Sequence, residues 1–460
     1  MASRYSFMAV LFVVVTIRFF FSFQQDVYSY PLYYNKIVVI RKNDATQMVI
    51  VQFFEGLSEG EDEAPSKKAP KRDSLPPFVY SPKERLFNLT PPFKPVNMKE
   101  VYLPHSTVPR NAMTVRSHWN SGSEQFINYM NKQFIPFQAQ HTNDSNPIIY
   151  VKRGTTGIAG QMRGVCDVLL LSIIHQRPFK MYASSLQSYL FAFPIANVTY
   201  PVTLANDSDN EHIVQNYNKK NHPRVDTWIE FTINNATPGV NAPGDFNTLY
   251  PGSTAVISLH SFLRPLLANR ANHNRVARLF GMSVNQRPQG VWYRACMQSL
   301  FQPTEYLRRY LQPYLKLFAR HPVLGIHIRS GDSTKWKDAS FHLTPDVITR
   351  EFDHIDAVLR NLTAPLIFLS SDSDTYKQLI LDRYGKIVFT VSGLDLKHVG
   401  KSSTQSGLLR AAMELHLIGQ CDYLLLTPVS GFGDCGKRLN RKKPTVWYFQ
   451  PLPSPSPSVK

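Results

Sequence analysis

The sequence predicts an α/β fold with an open parallel sheet, and three short apolar runs in the C-terminal half predict it. The first run begins at Leu324, and the others are Leu366–Leu369 and Tyr423–Leu426. Each is a continuous apolar stretch followed by small and polar residues, as expected for strands that are buried on both faces. Because the carboxyl ends of parallel strands meet at one edge of a sheet, we expect the three polar exits to share one crevice.

The first exit carries the most informative residues of the chain. The stretch LGIHIRSGD ends its strand with His327, Arg329, Gly331 and Asp332. A guanidinium offers several donors in one plane and can bind two phosphate oxygens at once. The pattern therefore predicts that Arg329 binds a phosphorylated ligand, with a structural Arg–Asp pair at a strand end as the alternative.

The second and third exits have the same form. Ser370–Asp374 follow the second run, and Thr427–Gly431 follow the third. A helix from about Ser406 to Leu417 is predicted to lead into the third strand.

These three segments resemble the motifs of the inverting fucosyltransferases that make α1,2, α1,6 and protein O-linked fucose. HPVLGIHIRSGD is similar to the first motif, FLSSDSD to the second, and MELHLIGQCDYLLLTPVSGFG to the third, and the resemblance covers roughly Gln302 to Phe432. It implies a GT-B fold of two Rossmann-like domains that face each other across a cleft. It also implies GDP-fucose as the donor substrate, bound mainly by the second domain, and no metal ion or other cofactor.

The resemblance further implies roles for individual residues. Arg329 would neutralise the β-phosphate as the fucose departs. The other donor contacts implied are His327 in the nucleotide pocket, Asp372 beside the donor, Glu414 at the guanine edge, and Ser430 and Gly431 at the pyrophosphate. Glu414 suits guanine chemically, because a carboxylate accepts from both the ring and the exocyclic N–H groups.

The catalytic base is Asp338 in this interpretation. Transfer needs an acceptor hydroxyl activated for in-line attack on the anomeric carbon. The α1,6 enzymes place a Glu just before Ala-Ala-Phe-His, and Asp338–His342 is the matching stretch here. A solvated loop carboxylate is the alternative for Asp338.

A metal site is the competing interpretation of Asp372 and Asp374. Paired carboxylates after an apolar strand also hold divalent cations in other sugar transferases. Arg329 argues for metal-independent transfer, because a guanidinium supplies the positive charge that the departing phosphate needs.

A βα unit is predicted upstream. Ile148–Val151 reads as a strand, Gly154 to Gly160 as a glycine-bearing turn, and Gln161 to about Gln176 as a helix. The N-terminus of that helix is suited to face an anion. Several fucosyltransferase branches have a similar turn, so the resemblance places Gly160 and Arg163 in the cleft, with an outward arginine on an amphipathic helix as the alternative.

The rest of the chain predicts a membrane-anchored luminal enzyme. Residues 1–24 read as a cytoplasmic tip and a signal-anchor helix, because Phe7–Phe23 is almost wholly apolar and no small-residue cleavage site follows. A cleaved signal peptide is the alternative. We expect a single-pass type II protein of the Golgi membrane, with the endoplasmic reticulum as the alternative location.

Further boundaries follow from composition. Residues 25–110 read as a luminal stem rich in proline and lysine, residues 111–300 as the acceptor-side half, residues 301–450 as the donor-binding half, and residues 451–460 as a disordered tail. Within the stem, Ile37–Ile40 and Met48–Phe54 read as short strands. Glycosylation sequons fit a luminal chain and begin at Asn88, Asn143, Asn197, Asn206, Asn235 and Asn361.

Cysteine spacing and the distribution of charge argue against a zinc site and against a nucleic-acid partner. Cys166, Cys296, Cys421 and Cys435 have no zinc spacing, so they form either two disulfides or buried free thiols. The net charge of +18 is scattered rather than interleaved with exposed aromatics, which disfavours nucleic acid as a partner.

The sequence therefore favours an EC 2.4.1 type fucosyltransferase acting on a glycan or glycoprotein hydroxyl. Two alternatives remain: a transferase of the same fold with a different nucleotide sugar, and a noncatalytic carbohydrate-binding protein.

Overall fold

The computed structural model of the chain describes the fold between the N-terminal region and residue 450. The described residues are 37–39, 49–51, 89–95, 121–141, 146–152, 157–182, 190–193, 195, 199–200, 225–231, 240, 244–258, 262–281, 288–330, 343–395 and 404–450.

Residues Met1–Asp73 form a small compact unit of their own. Its described part is a two-stranded antiparallel ladder of β1 (Ile37–Val39) and β2 (Val49–Val51), with Ile37 opposite Val51. Strands are therefore confirmed within both of the short runs predicted here. The predicted anchor segment Phe7–Phe23 lies outside the described residues.

The second unit, Ser74–Lys460, contains two parallel sheets with helices packed against them. In the first sheet five described strands lie in the order β6-β4-β3-β8-β7. These strands are β3 (Ile148–Lys152), β4 (Phe179–Tyr182), β6 (Thr199–Tyr200), β7 (Thr227–Phe231) and β8 (Thr254–Ser258). The short strand β5 (Phe191–Ala192) pairs instead with β9 (Gln302–Pro303).

The second sheet has the strand order β12-β11-β10-β13-β14, with every neighbouring pair parallel. Its strands are β10 (Val323–Ile328), β11 (Leu366–Ser371), β12 (Val388–Phe389), β13 (Tyr423–Leu426) and β14 (Thr445–Tyr448). Counted from β10, this is the 3-2-1-4-5 order of a doubly wound Rossmann sheet. The expectation of an α/β fold with two Rossmann-like halves is confirmed.

Thirteen α-helices are found in the described residues. The first seven are α1 (Ser121–Tyr129), α2 (Ile135–Gln140), α3 (Ile158–His175), α4 (Phe246–Leu249), α5 (Leu263–Ala268), α6 (His273–Phe280) and α7 (Pro288–Leu300). The others are α8 (Glu305–Phe318), α9 (Pro345–Arg350), α10 (Phe352–Arg360), α11 (Asp374–Tyr384), α12 (Gln405–Ile418) and α13 (Gly431–Leu439).

Burial explains why the central elements form. Every residue of β10 and β11 is buried, which matches their continuous apolar sequence. Helix α3 is the one helix of the described part with the length and hydropathy of a membrane span, and 89% of it is buried within the fold. It is therefore a core helix, consistent with its apolar residues on all sides.

Helix α13 joins the two halves although it follows a strand of the second sheet. The Cys435 thiol donates to the carbonyl of Ala159 in α3 across 3.6 Å. The amide of Gln298 in α7 donates to the Asn440 carbonyl just after α13, across 2.8 Å. The first turn of α3 and the body of α13 are thereby held against each other.

Residues 89–95 pack on α8, at the end of the segment that we interpret as a stem. Thr90 Oγ1 lies 2.7 Å from the hydroxyl of Tyr314, and the backbone N–H of Lys94 donates to the Tyr310 hydroxyl across 2.9 Å. Leu89 and Phe93 pack against the core. This part of the predicted stem is therefore attached to the second half by side-chain contacts.

All four cysteines are buried and carry free thiols. The sequence left open two disulfides or four buried free thiols, and the structure contains the buried free thiols. Burial raises the pKa of the Cys435 thiol to about 12, with Arg163 opposing, so this group is not a reactive thiolate.

Candidate functional site

The candidate site lies at the point where the strand order of the second sheet reverses. Strand β10 lies between β11 and β13, and the loops after β10 and β13 leave the sheet in adjacent positions. Open α/β sheets bind ligands in the crevice outside the carboxyl ends of the strands at such a point. The sequence placed Arg329 and Ser430 in these two loops, and the structure brings the loops together.

Arg329 is held by Asp372 across two strands. A guanidinium nitrogen of Arg329 lies 2.7 Å from Asp372 Oδ2, and the two side chains are 28% and 21% exposed. Oδ1 of the same carboxylate accepts from the backbone N–H of Ser330 across 2.8 Å. One carboxylate therefore fixes both the Arg329 side chain and the loop that carries it.

The backbone of Arg329 is anchored from the other side. Its N–H donates to Thr427 Oγ1 across 2.8 Å, and the Thr427 backbone N–H donates to the carbonyl of His327 across 3.0 Å. The loops after β10, β11 and β13 are thus joined at Arg329. Such preorganisation is what a charge-stabilising site needs, because the donor does not have to reorient during the reaction.

His327 supports the second loop. Its Nε2 lies 2.9 Å from Ser430 Oγ, which caps α13 by accepting from the Gly433 backbone N–H. Burial, with the Arg329 charge adding to it, lowers the pKa of His327 to about 4, although Asp372 and a backbone hydrogen bond with Ser370 oppose this. The imidazole is therefore neutral at pH 7, and Ser430 can donate to Nε2 while its oxygen accepts from Gly433.

The N-terminus of α13 is packed closely against this imidazole. A Cβ atom on Gly433 would lie 2.8 Å from His327 Cδ2, closer than side chains approach. The Phe432 ring lies beside the imidazole at 5.3 Å between centroids. Glycine at 433 is required because the helix start and the histidine approach each other so closely.

Val429 is strained in the loop before this helix. Its φ is 59°, a left-handed conformation that a β-branched residue rarely adopts, and its side chain is 40% exposed. Strained residues of this kind cluster at ligand-binding and active sites. The strain at Val429 therefore agrees with a functional loop after β13.

Glu414, which the resemblance assigns to the guanine edge, is buried and has protein partners. It is 6% exposed, its Oε1 accepts from Arg410 across 2.9 Å, and its Oε2 accepts from the Ser370 hydroxyl across 2.7 Å. Both oxygens have protein partners, and the contact with Ser370 links α12 to the end of β11. The guanine contact of Glu414 stays a prediction.

The two carboxylates of the alternative metal interpretation serve different partners. Asp372 pairs with Arg329, whereas Asp374 is the first residue of α11 and pairs with Lys377 across 2.9 Å. No group of three or more His, Cys, Asp or Glu side chains placed to hold a metal ion occurs in the described part of the chain. Asp372 and Asp374 therefore each have a separate basic partner.

Arg163 lies at the start of α13. Its guanidinium is 2.6 Å from Asp434 Oδ2 and would be 3.5 Å from a Cβ atom on Gly431. Arg438 donates to the same oxygen of Asp434 across 2.9 Å. Burial would raise the pKa of Asp434, but Arg438 and Arg163 lower it to about 2.

The two halves of the chain therefore meet at a charged cluster beside the third loop. Gly160 is the other candidate residue of the first half. It is partly exposed and lies in the first turn of α3. The candidate base Asp338, with Gly331 and Asp332, lies outside the described residues.

Three contributors to the site were not identified from the sequence. Ser330 donates to Asp372, Arg410 binds Glu414, and Asp434 binds Arg163. The spacing of four residues between Arg410 and Glu414, and between Asp434 and Arg438, is a signal for helical ion pairs. Ser330 and the Arg163 contact had no such local signal.

The chain shares low sequence identity with the solved structures that it is similar to. No family model matches the chain. The chain is similar to a mutant of Arabidopsis thaliana FUT1 in complex with GDP, with TM-score 0.49, 13% identity, and coverage of 72% of this chain and 78% of that chain. It is also similar to NodZ α-1,6-fucosyltransferase soaked with GDP-fucose, with TM-score 0.37, 13% identity and coverage of 64% and 92%. It is similar as well to POFUT1 in complex with GDP, with TM-score 0.34, 10% identity, and coverage of 67% of this chain and 99% of that chain.

Proposed function

We propose that this chain is a glycosyltransferase that moves fucose from GDP-fucose to a hydroxyl of a glycan or glycoprotein, with inversion and without a metal ion. The observation that carries the proposal is the placement of Arg329. Its guanidinium lies at the switch point of a 3-2-1-4-5 parallel sheet, held by Asp372 and still 28% exposed. That is where a doubly wound sheet binds a phosphorylated ligand.

In the proposed reaction, Arg329 stabilises the leaving group. The bond between the anomeric carbon of fucose and the β-phosphate oxygen breaks, and the electron pair leaves with the diphosphate. A cation aimed at the developing charge lowers the barrier, because the charge is greater in the transition state than in the ground state. Asp372 contributes by holding the guanidinium in position rather than by touching the sugar.

The third loop provides the other donor contacts. Ser430 and Gly431 begin α13, where unpaired backbone N–H groups and the helix dipole favour an anion. His327, neutral at pH 7, positions Ser430 and thereby this helix start. Arg163 of the other half lies at the same helix start, where it is paired with Asp434.

The base in this proposal is Asp338. It would take the proton of the acceptor hydroxyl as the hydroxyl oxygen bonds to the anomeric carbon from the face opposite the diphosphate. Attack from that face inverts the configuration. Asp338→Asn should reduce turnover without changing donor affinity, and unchanged turnover would remove Asp338 from the mechanism.

GDP is proposed as the nucleotide because the three motifs resemble those of GDP-fucose enzymes, and because Arg329 and the α13 N-terminus suit its diphosphate. Isothermal titration of the detergent-solubilised full chain with GDP and UDP tests this. Tighter binding of GDP supports the proposal, and tighter binding of UDP favours a different nucleotide sugar. Binding of neither would favour a noncatalytic carbohydrate-binding protein.

We place the enzyme in the Golgi membrane as a single-pass type II protein with its catalytic part in the lumen. The support is the apolar segment Phe7–Phe23 and the proline-rich and lysine-rich sequence that follows it. Protease protection of the catalytic part in sealed microsomes is the expected result, and digestion without detergent would contradict this topology.

A further inference from the structure

We infer that Asn361 is an N-glycosylation site, modified by an oligosaccharide on the face of the second half that lies away from the candidate site. The inference goes beyond the proposed activity and depends only on the proposed luminal location. Of the six sequons in the chain, Asn361-Leu362-Thr363 is the one whose asparagine lies among the described residues.

The local structure leaves this sequon accessible. Asn361 follows the last residue of α10, and both Asn361 and Thr363 are exposed while Leu362 is partly buried. The backbone N–H groups of Asn361 and Leu362 close the last turn of the helix onto Val358 and Leu359. A tight turn at the end of a surface helix displays its side chains to solvent, as an oligosaccharide requires.

The hydrogen bonding of Asn361 is compatible with the modification. Its Nδ2 donates one hydrogen bond, to the carbonyl of Ala357 across 2.8 Å. A carboxamide has two N–H donors, and the glycosidic bond replaces one of them. The remaining N–H can keep the bond to Ala357, so the folded helix end need not change when the glycan is attached.

The position in the sheet keeps the glycan away from the site. Residue 361 precedes β11, whose first residue is Leu366, whereas Asp372 follows the last residue of the same strand. Six residues of strand span about 20 Å. A glycan at Asn361 therefore lies at the amino edge of the sheet and leaves the carboxyl edge, with Arg329, open.

The chemical step needs a lipid-linked oligosaccharide diphosphate as co-reactant, supplied by the lumen of the endoplasmic reticulum. The Asn361 amide nitrogen bonds to the anomeric carbon of the first sugar, and the bond from that carbon to the diphosphate oxygen breaks. The electron pair leaves with the lipid diphosphate, and one amide proton goes to a base of the transferring enzyme.

The test uses the full chain expressed in a eukaryotic secretory host. Enzymatic removal of N-glycans in ¹⁸O-labelled water converts each modified Asn to labelled Asp, which peptide mass spectrometry detects. We expect the label at residue 361. Asn361→Gln and Thr363→Ala should each lower the apparent mass on a gel by the mass of one glycan. The matched control Thr363→Ser keeps the sequon and should leave the apparent mass unchanged.

Two results would overturn the inference. If residue 361 is unlabelled while another sequon of the same molecules is labelled, the chain reaches the lumen but Asn361 is not a site. If no sequon is labelled, the luminal location itself fails. Neither result bears on donor chemistry, because GDP titration of the same preparation tests the proposed function separately, and Asn361→Gln should leave GDP affinity unchanged.

Discussion

Asp372 binds Arg329 and Ser330 with different oxygens of one carboxylate, at 2.7 Å to the Arg329 guanidinium and 2.8 Å to the Ser330 backbone N–H. The hydrogen bond to the Ser330 N–H holds the Asp372 carboxylate in place. Because Asp372 cannot move with the guanidinium without breaking that bond, the ion pair positions Arg329. We therefore expect Asp372 to position Arg329, and Arg329 to bind the donor diphosphate.

The first prediction concerns the cation itself. Arg329→Ala should lower kcat with GDP-fucose by about 10²–10³-fold, the usual loss when one charge-stabilising donor is removed. Arg329→Lys should recover part of the rate, since it keeps the charge but not the planar donor set. Added guanidinium salt should partly restore the alanine variant. Thermal unfolding serves as the control, and wild-type activity in Arg329→Ala would refute the mechanism.

The second prediction separates positioning from contact. Asp372→Asn keeps an acceptor for the Ser330 N–H but removes the charge that holds Arg329. We expect kcat to fall about tenfold, or about 1.4 kcal/mol in barrier height. Because the Arg329–Asp372 pair is 28% and 21% exposed, its loss should cost only about 1 kcal/mol of unfolding free energy. In the double variant with Arg329→Ala, Asp372→Asn should cause no further loss, and independent losses would contradict a shared role.

The third prediction concerns the start of α13. Gly433→Ala should destabilise the protein by about 1–3 kcal/mol, because the new methyl group would meet His327 Cδ2 at 2.8 Å in a buried position. Gly431→Ala is the matched control for stability, since its methyl group would meet Arg163 at an ordinary contact distance of 3.5 Å. Urea unfolding of the two variants measures the difference. Equal stability of both would show that His327 can move.

The fourth prediction concerns pH. Burial is the main cause that lowers the pKa of His327 to about 4 and the pKa values of His175 and His416 to about 3. The charge of Arg275 lowers the pKa of His175 further, and the charge of Arg441 does the same for His416. The folded protein therefore binds these protons less readily than the unfolded chain, whose histidines titrate near pH 6.5. Their contribution to stability is complete above pH 6.5 and is lost as the pH falls from 6.5 towards 4 and then 3.

His416 offers a clean test of this effect, because it is buried and lies outside the proposed donor contacts. His416→Met removes its titration while keeping a side chain of similar size. Between pH 7 and pH 5 the variant should lose about 2 kcal/mol less unfolding free energy than the wild type. Urea unfolding at the two pH values measures this, and identical pH dependence would show that the pKa of His416 is the same in the folded and unfolded states.

The fifth prediction addresses Glu414. Because its carboxylate binds Arg410 and Ser370, Glu414→Gln should lower stability while leaving the preference for GDP over UDP unchanged. Loss of that preference at unchanged stability would instead assign guanine recognition to Glu414. Nucleotide titration and thermal unfolding of the same preparation distinguish the two outcomes.

Metal removal tests the leaving-group chemistry. With Arg329 supplying the positive charge, transfer from GDP-fucose should continue in excess EDTA at its original rate. Complete loss of transfer that added Mg²⁺ or Mn²⁺ restores would contradict metal-independent transfer.

Sequence alone determined which helices and strands are buried and which polar side chains follow the strands. The helix predicted from about Ser406 to Leu417 is Gln405–Ile418 in the structure, and the three predicted strands are the adjacent central strands β10, β11 and β13. These elements are predictable because an apolar run of strand length between polar exits has few other ways to bury its surface.

Only the tertiary structure decided which charged groups pair. Asp372 and Arg329 are 43 residues apart and Asp434 and Arg163 are 271 apart, whereas the carboxylate of Glu414 faces Arg410 and Ser370 rather than open solvent. Local sequence restricts backbone conformation and burial, but it does not specify which distant side chain lies within 3 Å. That is decided by the strand order and by the packing of α13 between the two halves, because those set where each loop leaves its sheet.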